Sequence, residues 1–292
     1  MSAVIRSSRR DCAIDPRPLP PFTAARFEAF VGGLRPVFHR ADQFLRFRAY
    51  LRGLLEPTPR KDVESIAASA SVAMTVEAEL AQALQHFVSH SPWDANRLLS
   101  AVRRATADTR RDAAAVWVVH DGVFAKKGRH SVGVQRQFAR AVGKKLNCQV
   151  AVVIGESGPG GYVPLAARLY LPANWLAANP DAAAKTIPGD CRKPVPKAEI
   201  ALQLLDQLRE DGEPPRPLLA EDGYRTNHAF ADGLAERALA AVPASDSLPF
   251  ALEQFERLKD TLGLDHFEGR TRAGWHHHVA LVFAAAHFLI GK

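Results

Sequence analysis

Four strand-like runs lie close together in the middle of the chain, and they constrain its fold more than any other feature. The runs are rich in apolar and β-branched residues and are separated by Gly and Pro; they are Val116–Val119, Ser131–Ala139, Cys148–Ile154 and Ala166–Leu171. The connections are too short for helical crossovers, so neighbouring strands must run antiparallel. Helices and short strands then alternate, at Lys197–Arg209, Pro217–Ala220, Asn227–Leu239 and Ala240–Val242. This order predicts an α/β sheet of mixed strand direction.

The segments before and after this region read as helices. Residues 1–20 are polar and Pro-rich, which predicts a flexible N-terminus. Residues 21–108 show only helical periodicity and predict an all-helical unit, in which Asp94–Thr106 is the last helix. Residues 109–292 form the predicted α/β domain, and its last two helices are Phe250–Leu262 and Trp275–Ile290.

Composition narrows the classes of protein that fit. Of the 292 residues 47% are hydrophobic, and 38 Lys+Arg against 31 Asp+Glu give a net charge of +7. A basic balance favours polyanionic partners, above all nucleic acid. The three cysteines form no CxxC motif, which fits a reducing cytoplasm. The apolar run from Val279 to Ile290 is too short to span a bilayer, so we expect no membrane partner.

Asp121 is the first candidate catalytic residue. It follows the apolar run Val116–Val119, and cations come directly after it. A carboxylate at the end of a buried strand beside such cations suits a site that holds a divalent metal and attracts a phosphate backbone. The alternative is a plain turn aspartate before Gly122.

Further acids lie where a nuclease core of the RNase H-like type would need them. Glu221 and Asp222 follow the strand Pro217–Ala220, and Glu253 lies on the helix Phe250–Leu262. Two Mg²⁺ ions about 3.5–4 Å apart can flank a phosphodiester when such carboxylates converge. The alternatives are an ordinary strand-to-helix loop at 221–222 and a solvent-facing helix acid at Glu253. Glu256 and Glu268 are further candidates of the same kind.

The cations beside Asp121 are candidate DNA contacts. They are Lys126, Lys127, Arg129 and Arg136, together with Lys259 on a later helix. Contacts to phosphates would make binding depend on salt; a solvated hairpin face is the alternative. His276–His278 favour packing or a DNA-facing role over zinc, because adjacent helical positions point about 100° apart. The segment GESGPGG (155–161) predicts a loose loop.

Several motifs in fixed order resemble bacterial insertion-sequence transposases with a DDE-type catalytic domain. The matching segments are YLRGLLEPTPRKDVESIA (50–67), LQHFVSHSPWD (84–94), HDGVFAKKGRHSVGVQRQFARAVGKKLNCQVAV (120–152), ARLYLPANW (167–175), AEDGYRTN (220–227) and LKDTLGLDHFEGRTRAGWHHHVALV (258–282). The resemblance covers most of the chain from about Arg40 onward.

The resemblance implies an RNase H-like fold, helical DNA-binding segments toward the N-terminus, and Mg²⁺- or Mn²⁺-dependent cleavage and transfer of DNA strands. Its partners would be double-stranded DNA, at element ends and target, with a homodimer on the DNA. The location would be the bacterial cytoplasm, at the nucleoid. Asp121 falls on the family's first catalytic Asp, Glu221 on the second, with Asp222 beside it, and Glu253 lies closest to the third.

The chain departs from the family pattern at two of these three positions. The family has Asp where Glu221 stands, and its Glu lies seven residues before the Lys that matches Lys259, where this chain has Leu252. The sequence therefore predicts a DDE-type lineage with an incomplete triad. Three hypotheses follow: a transposase that cleaves if its site is intact, an inactive, DNA-binding remnant of a transposase, and a structural remnant with no function.

Overall fold

Five helices precede the sheet in the computed structural model, which describes residues 22–74, 80–139, 143–243 and 245–291. They are α1 (Ala24–Gly33), α2 (Ala41–Leu55), α3 (Val63–Met74), α4 (Leu80–Ser89) and α5 (Ala95–Ala105). Asp94 caps α5, because its carboxylate accepts the backbone N–H groups of Asn96 and Arg97. The helical character predicted for this region is confirmed where it is described; the predicted flexible residues 1–20 lie outside the described residues.

In the described part of the chain, five strands form one mixed sheet. They are β1 (Val116–Ala125), β2 (Gln135–Ala139), β3 (Lys144–Gly158), β4 (Gly161–Leu169) and β5 (Leu218–Ala220). The central strand β3 pairs antiparallel with β1 along one edge and with β2 and then β4 along the other. The outer strand β5 runs parallel to β1. This mixed α/β sheet behind a helical region is consistent with an RNase H-like fold and confirms the expected fold class.

Two predictions for the sheet, one of a strand end and one of a loop, were wrong. β1 does not end before Asp121 but continues to Ala125, because Gly122 and Phe124 pair with β3 and Phe124 packs edge-on against Trp275. The segment 155–161 is not a loose loop: β3 runs through Gly158, and β4 begins at Gly161. Gly155 is needed there because a Cβ atom would lie 2.2 Å from the Tyr162 ring.

Seven helices complete the described chain. They are α6 (Ala173–Ala178), α7 (Pro180–Thr186), α8 (Lys197–Glu210), α9 (Asp222–Arg225), α10 (His228–Glu236), α11 (Ser247–Leu262) and α12 (Arg272–Ile290). The side chain of Asn227 caps α10, as its position predicts. Gly263 ends α11 in the left-handed region, with φ 67°, where a side chain would be strained.

Within the described residues, the sheet separates the two larger hydrophobic cores. One core contains Trp117 and Val119 of β1 with α8 and α10. The other contains Val118 and Phe124 of β1 with α11, α12 and the N-terminal helices. Successive side chains of a strand point to opposite faces, so β1 contributes alternately to both cores. The face to which each β1 side chain points therefore decides which helices can reach it.

Buried histidines of α12 support the packing interpretation of the His276–His278 segment. His277 is stacked on Trp93, with ring centroids 3.9 Å apart. The Nε2 atom of His278 lies 2.9 Å from the carbonyl oxygen of Gly263, and its Nδ1 atom lies 3.0 Å from the Tyr50 hydroxyl. These partners suit a neutral imidazole that donates from Nε2 and accepts at Nδ1.

The buried histidines predict loss of stability in mild acid. Burial lowers the pKa of His278 to about 4 and that of His287 to about 3. In the unfolded chain both have a pKa of about 6.5, so the unfolded state takes up protons first as the pH falls. Stability is complete above about pH 6.5, and each histidine lowers the free energy of unfolding by about 1.4 kcal/mol per pH unit between that pH and its pKa in the folded protein. The free energy of unfolding, measured with urea, should be lower at pH 5 than at pH 7.5 by about 2 kcal/mol for each histidine.

Substitution separates this effect from general acid lability. The variant His278→Gln should show a shallower dependence of unfolding free energy on pH, whereas His130→Gln, at an exposed position, should keep the native slope. Equal slopes for the native protein and His278→Gln would contradict the prediction.

Candidate active site

Asp121 lies inside β1 and faces the core that contains α8. Its neighbours His120 and Gly122 point to the opposite face, where the Phe255 ring of α11 packs against His120 with centroids 4.7 Å apart. A Cβ atom on Gly122 would lie 2.9 Å from the same ring. Burial lowers the pKa of His120 to about 4. The sheet therefore separates the Asp121 carboxylate from helix α11.

Asp121 and Glu221 meet, although 100 residues separate them in the chain. Strand β5 pairs with residues 117–119 of β1, and the backbone N–H of Glu221 donates to the carbonyl oxygen of Val119 at 3.0 Å. This pairing brings the Glu221 side chain beside Asp121, whose backbone N–H donates to Glu221 Oε2 at 2.7 Å. Parallel pairing of a short strand thus unites two of the predicted acids.

Both carboxylate oxygens of Asp121 accept hydrogen bonds from side chains. The Tyr224 hydroxyl donates to Oδ1 at 2.7 Å, and the Lys197 ammonium lies 2.5 Å from Oδ2. The pKa of Tyr224 is well above its usual value because the phenol is buried and faces the Asp121 carboxylate. Sequence reasoning assigned neither side chain a role in the site.

Asp222 and Glu253 occupy different surroundings. Asp222 begins α9 with an exposed side chain and pairs with Arg225 at 2.7 Å. Glu253 is exposed on α11, and within the described ranges it makes no hydrogen bond or ion pair. Helical spacing explains this, since Phe255 and Lys259 share the face that turns to the sheet. The roles assigned to Asp222 and Glu253 as metal ligands stay predictions.

The donor set at Asp121 does not fit a pair of divalent cations. Two such ions need several carboxylates, at least one of which bridges them. Here the Asp121 oxygens already accept from an ammonium and a phenol, and no group of three His, Cys, Asp or Glu side chains within the described ranges could hold a metal ion. The acids of α11 lie beyond the sheet. The residues around Asp121 therefore do not form a two-metal catalytic site in this arrangement.

The predicted DNA-binding cations separate into two groups. Lys126 and Lys259 are engaged by the protein: Lys126 donates to the carbonyl oxygen of Phe267 at 2.8 Å, and Lys259 to that of Val123 at 2.7 Å. The others, Lys127, Arg129 and Arg136, are exposed. No acid of the described chain pairs with these three.

A groove joins the three unpaired cations. We call it the basic groove; it lies between the loop after β1, strand β2 and helix α6, and it is lined by Lys127, Arg129, Arg136, Asn147, Asn174 and Asn179 among others. Asn147 holds the loop in place, since its amide donates to the carbonyl oxygens of Lys126 at 2.7 Å and Gly128 at 2.8 Å. The groove offers cations and amides, the groups that contact phosphate oxygens in protein–DNA complexes.

Comparison with known proteins places the chain in a family. Residues 33–259 match the model of the DDE superfamily endonucleases. The chain is also 26% identical over 211 residues to a probable transposase for insertion sequence element IS701 from Microchaete diplosiphon. This match covers 72% of the chain but 50% of the relative, so the chain spans about half the length of that relative. No solved structure matches.

The match runs through the helical region and the sheet and ends at Lys259, so it includes Asp121, Glu221 and the basic groove. The ordered motifs predicted an insertion-sequence transposase, and this match confirms that prediction. The chain belongs to the DDE superfamily of endonucleases.

Proposed function

We propose that this protein binds the DNA ends of a mobile element and does not cut them in the arrangement described. The name of its relative refers to the transposase of an insertion sequence. The observation that carries DNA binding is the basic groove, in which three exposed cations have no acidic partner within the described ranges. Unpaired cations along a groove can each neutralise a phosphate without first breaking an internal ion pair.

The distribution of charge supports the same proposal. The chain carries a net charge of +7. Lys127 and Arg129 lie in the loop after β1, and Arg136 lies on β2. Both strands pair with β3, and Cys148 of β3 lies opposite both Ala125 of β1 and Gln135 of β2, so the three cations come from the same part of the sheet. A phosphate backbone that lies in the groove would pass the C-terminal end of β1, the strand that contains Asp121. Ala125, at that end, is four positions after Asp121, which corresponds to about 13 Å of strand.

The proposal also includes the N-terminal helical region, residues 21–108. As the family resemblance implies, its helices would form a second surface that contacts DNA. Among the described helices, none combines the length and apolarity needed to cross a membrane.

Neutralising the groove should weaken DNA binding and flatten its dependence on salt. We expect the triple variant Lys127→Gln, Arg129→Gln, Arg136→Gln to reduce the slope of log affinity against log salt by about 1 for each phosphate that the groove no longer neutralises. At moderate salt, affinity for a duplex that carries the sequence flanking the gene should fall by about 100-fold. Fluorescence anisotropy across a salt series measures both quantities.

A charge-matched control separates the groove from the overall charge. Lys193, Arg111 and Arg209 are exposed and do not line the groove. Their replacement by glutamine changes the net charge by the same amount and should leave the slope almost unchanged. Equal reductions for both triple variants would mean that the groove does not bind the DNA.

The second candidate function is metal-dependent cleavage of DNA. The contact between Asp121 and Glu221 favours it, because these are the first two acids of the family pattern. It would require Lys197 to leave Asp121 and a third acid to reach the pair. Nicking assays compare the two functions directly.

A further inference from the structure

We propose that the ammonium of Lys197 is a built-in counter-ion that excludes divalent cations from the Asp121–Glu221 pair. This inference goes beyond DNA binding and does not depend on it. It concerns one ion pair, that of Lys197 Nζ and Asp121 Oδ2, which are 2.5 Å apart.

The ion pair occupies the coordination sphere that a metal would need. The side chain of Asp121 is 7% exposed, and its two oxygens accept from Lys197 and from Tyr224. A divalent cation needs carboxylate oxygens at about 2.0–2.6 Å. An ion at Asp121 would therefore have to displace the ammonium, since two cations in contact with the same buried carboxylate would repel each other strongly.

Helix α8 fixes the position of Lys197. The residue begins the helix directly after Pro196. The next turns bury Ala198, Ile200 and Ala201 in the core shared with Trp117 and Val119 of β1. Because this packing anchors the backbone of Lys197 beside β1, the ammonium stays near Asp121 at a high effective concentration, whereas a metal must bind from dilute solution.

A second contact holds the ammonium at the site. Nζ of Lys197 lies 5.9 Å from the centroid of the Tyr170 ring, which follows β4. A cation over an aromatic face gains electrostatic attraction in addition to its ion pair. The lysine side chain is 36% exposed, so it reaches the carboxylate from the solvent side and covers it. The Asp121 carboxylate and the Tyr170 ring thus both attract the ammonium.

Charge explains why removal of the lysine should create a metal site. The ammonium of Lys197 is paired with the buried Asp121 carboxylate, and the Glu221 carboxylate accepts the backbone N–H of the same aspartate. Without the ammonium, the Asp121 carboxylate would lose its ion-pair partner. A single divalent ion would then restore the charge balance, with oxygen ligands of the type that Mg²⁺ and Mn²⁺ prefer.

The test measures Mn²⁺ binding to the full chain without DNA. Electron paramagnetic resonance of free Mn²⁺ gives the bound fraction for the native protein, Lys197→Met, the double variant Lys197→Met, Asp121→Asn, and Lys193→Met. Lys193 is an exposed lysine four residues earlier and serves as the matched control. Circular dichroism checks that each variant is folded, and Lys197→Gln replaces Lys197→Met if the latter does not fold.

We expect Lys197→Met to bind one Mn²⁺ ion at least tenfold more tightly than the native protein. Asp121→Asn in that background should abolish the gain, and Lys193→Met should bind as the native protein does. The proposal is overturned if Lys197→Met binds no more tightly than the native protein, or if the native protein already binds Mn²⁺ equally well through Asp121. Since no DNA is present, neither result depends on the function of the basic groove.

Discussion

Replacing Arg110 by alanine is expected to lower the free energy of unfolding by about 3–5 kcal/mol. Arg110 follows α5 and is buried between two acids, with its guanidinium 3.3 Å from Glu156 of β3 and 2.9 Å from Glu213 after α8. Both acids are buried, and burial raises the pKa of Glu156. Loss of the guanidinium would leave two carboxylates in the interior with less compensation, which costs far more than the loss of a surface ion pair.

The adjacent arginine is a matched control. Arg111 pairs with Asp108 at 2.8 Å, but its side chain is 78% exposed. Solvent screens such a pair, so Arg111→Ala should change the unfolding free energy by less than about 1 kcal/mol. Urea unfolding of both variants at neutral pH compares the two costs. Similar values for the two arginines would contradict the buried network that joins α5, β3 and the segment after α8.

The substitution Phe255→Ala should cost about 3–5 kcal/mol, because it removes the ring that fastens α11 to the sheet. Phe255 is 1% exposed and packs against His120 and Gly122. This packing also places α11 on the face of β1 opposite to Asp121. The effect on stability, measured by urea unfolding, therefore tests the orientation of the helix that carries the predicted third acid.

Glu253 provides the comparison on the same helix. Glu253→Ala should change the unfolding free energy by no more than about 0.5 kcal/mol, since its side chain is exposed and makes no hydrogen bond or ion pair within the described ranges. A large destabilisation at Glu253 together with a small one at Phe255 would mean that α11 is rotated and presents its acids to the sheet.

Periodicity and spacing predict most of the fold. Helical repeats identify the N-terminal helices, and short connections identify the antiparallel strands β1, β3 and β4. The extent of β1 is not predictable in this way, because the dipeptide Asp121-Gly122 is typical of a turn. Only the packing of Phe255 against Gly122, which the local sequence does not reveal, shows that the strand continues. Tertiary contact here overrides a local turn preference. The domain boundary between residues 108 and 109 stays a prediction. Helix α12 packs against both the N-terminal helices and the sheet.

The candidate site is predictable only in part. The position of Glu221 directly after a strand leads to its contact with Asp121, because adjacent parallel strands end at one edge of a sheet. No spacing rule points to Lys197, which is 76 residues from Asp121 and reaches it only because α8 packs on that face. Tyr224 belongs to a family motif, yet its role as a donor to Asp121 follows from the first turn after β5.

Metal-dependent nicking tests the central claim, namely that the protein binds DNA without cutting it. Native protein and Asp121→Asn are incubated with supercoiled plasmid carrying the sequence that flanks the gene, with Mg²⁺ or Mn²⁺, at a salt concentration where anisotropy shows both proteins bound. We predict binding by both and no nicking by the native protein above the level of Asp121→Asn. Nicking by the native protein that Asp121→Asn lacks would contradict the claim.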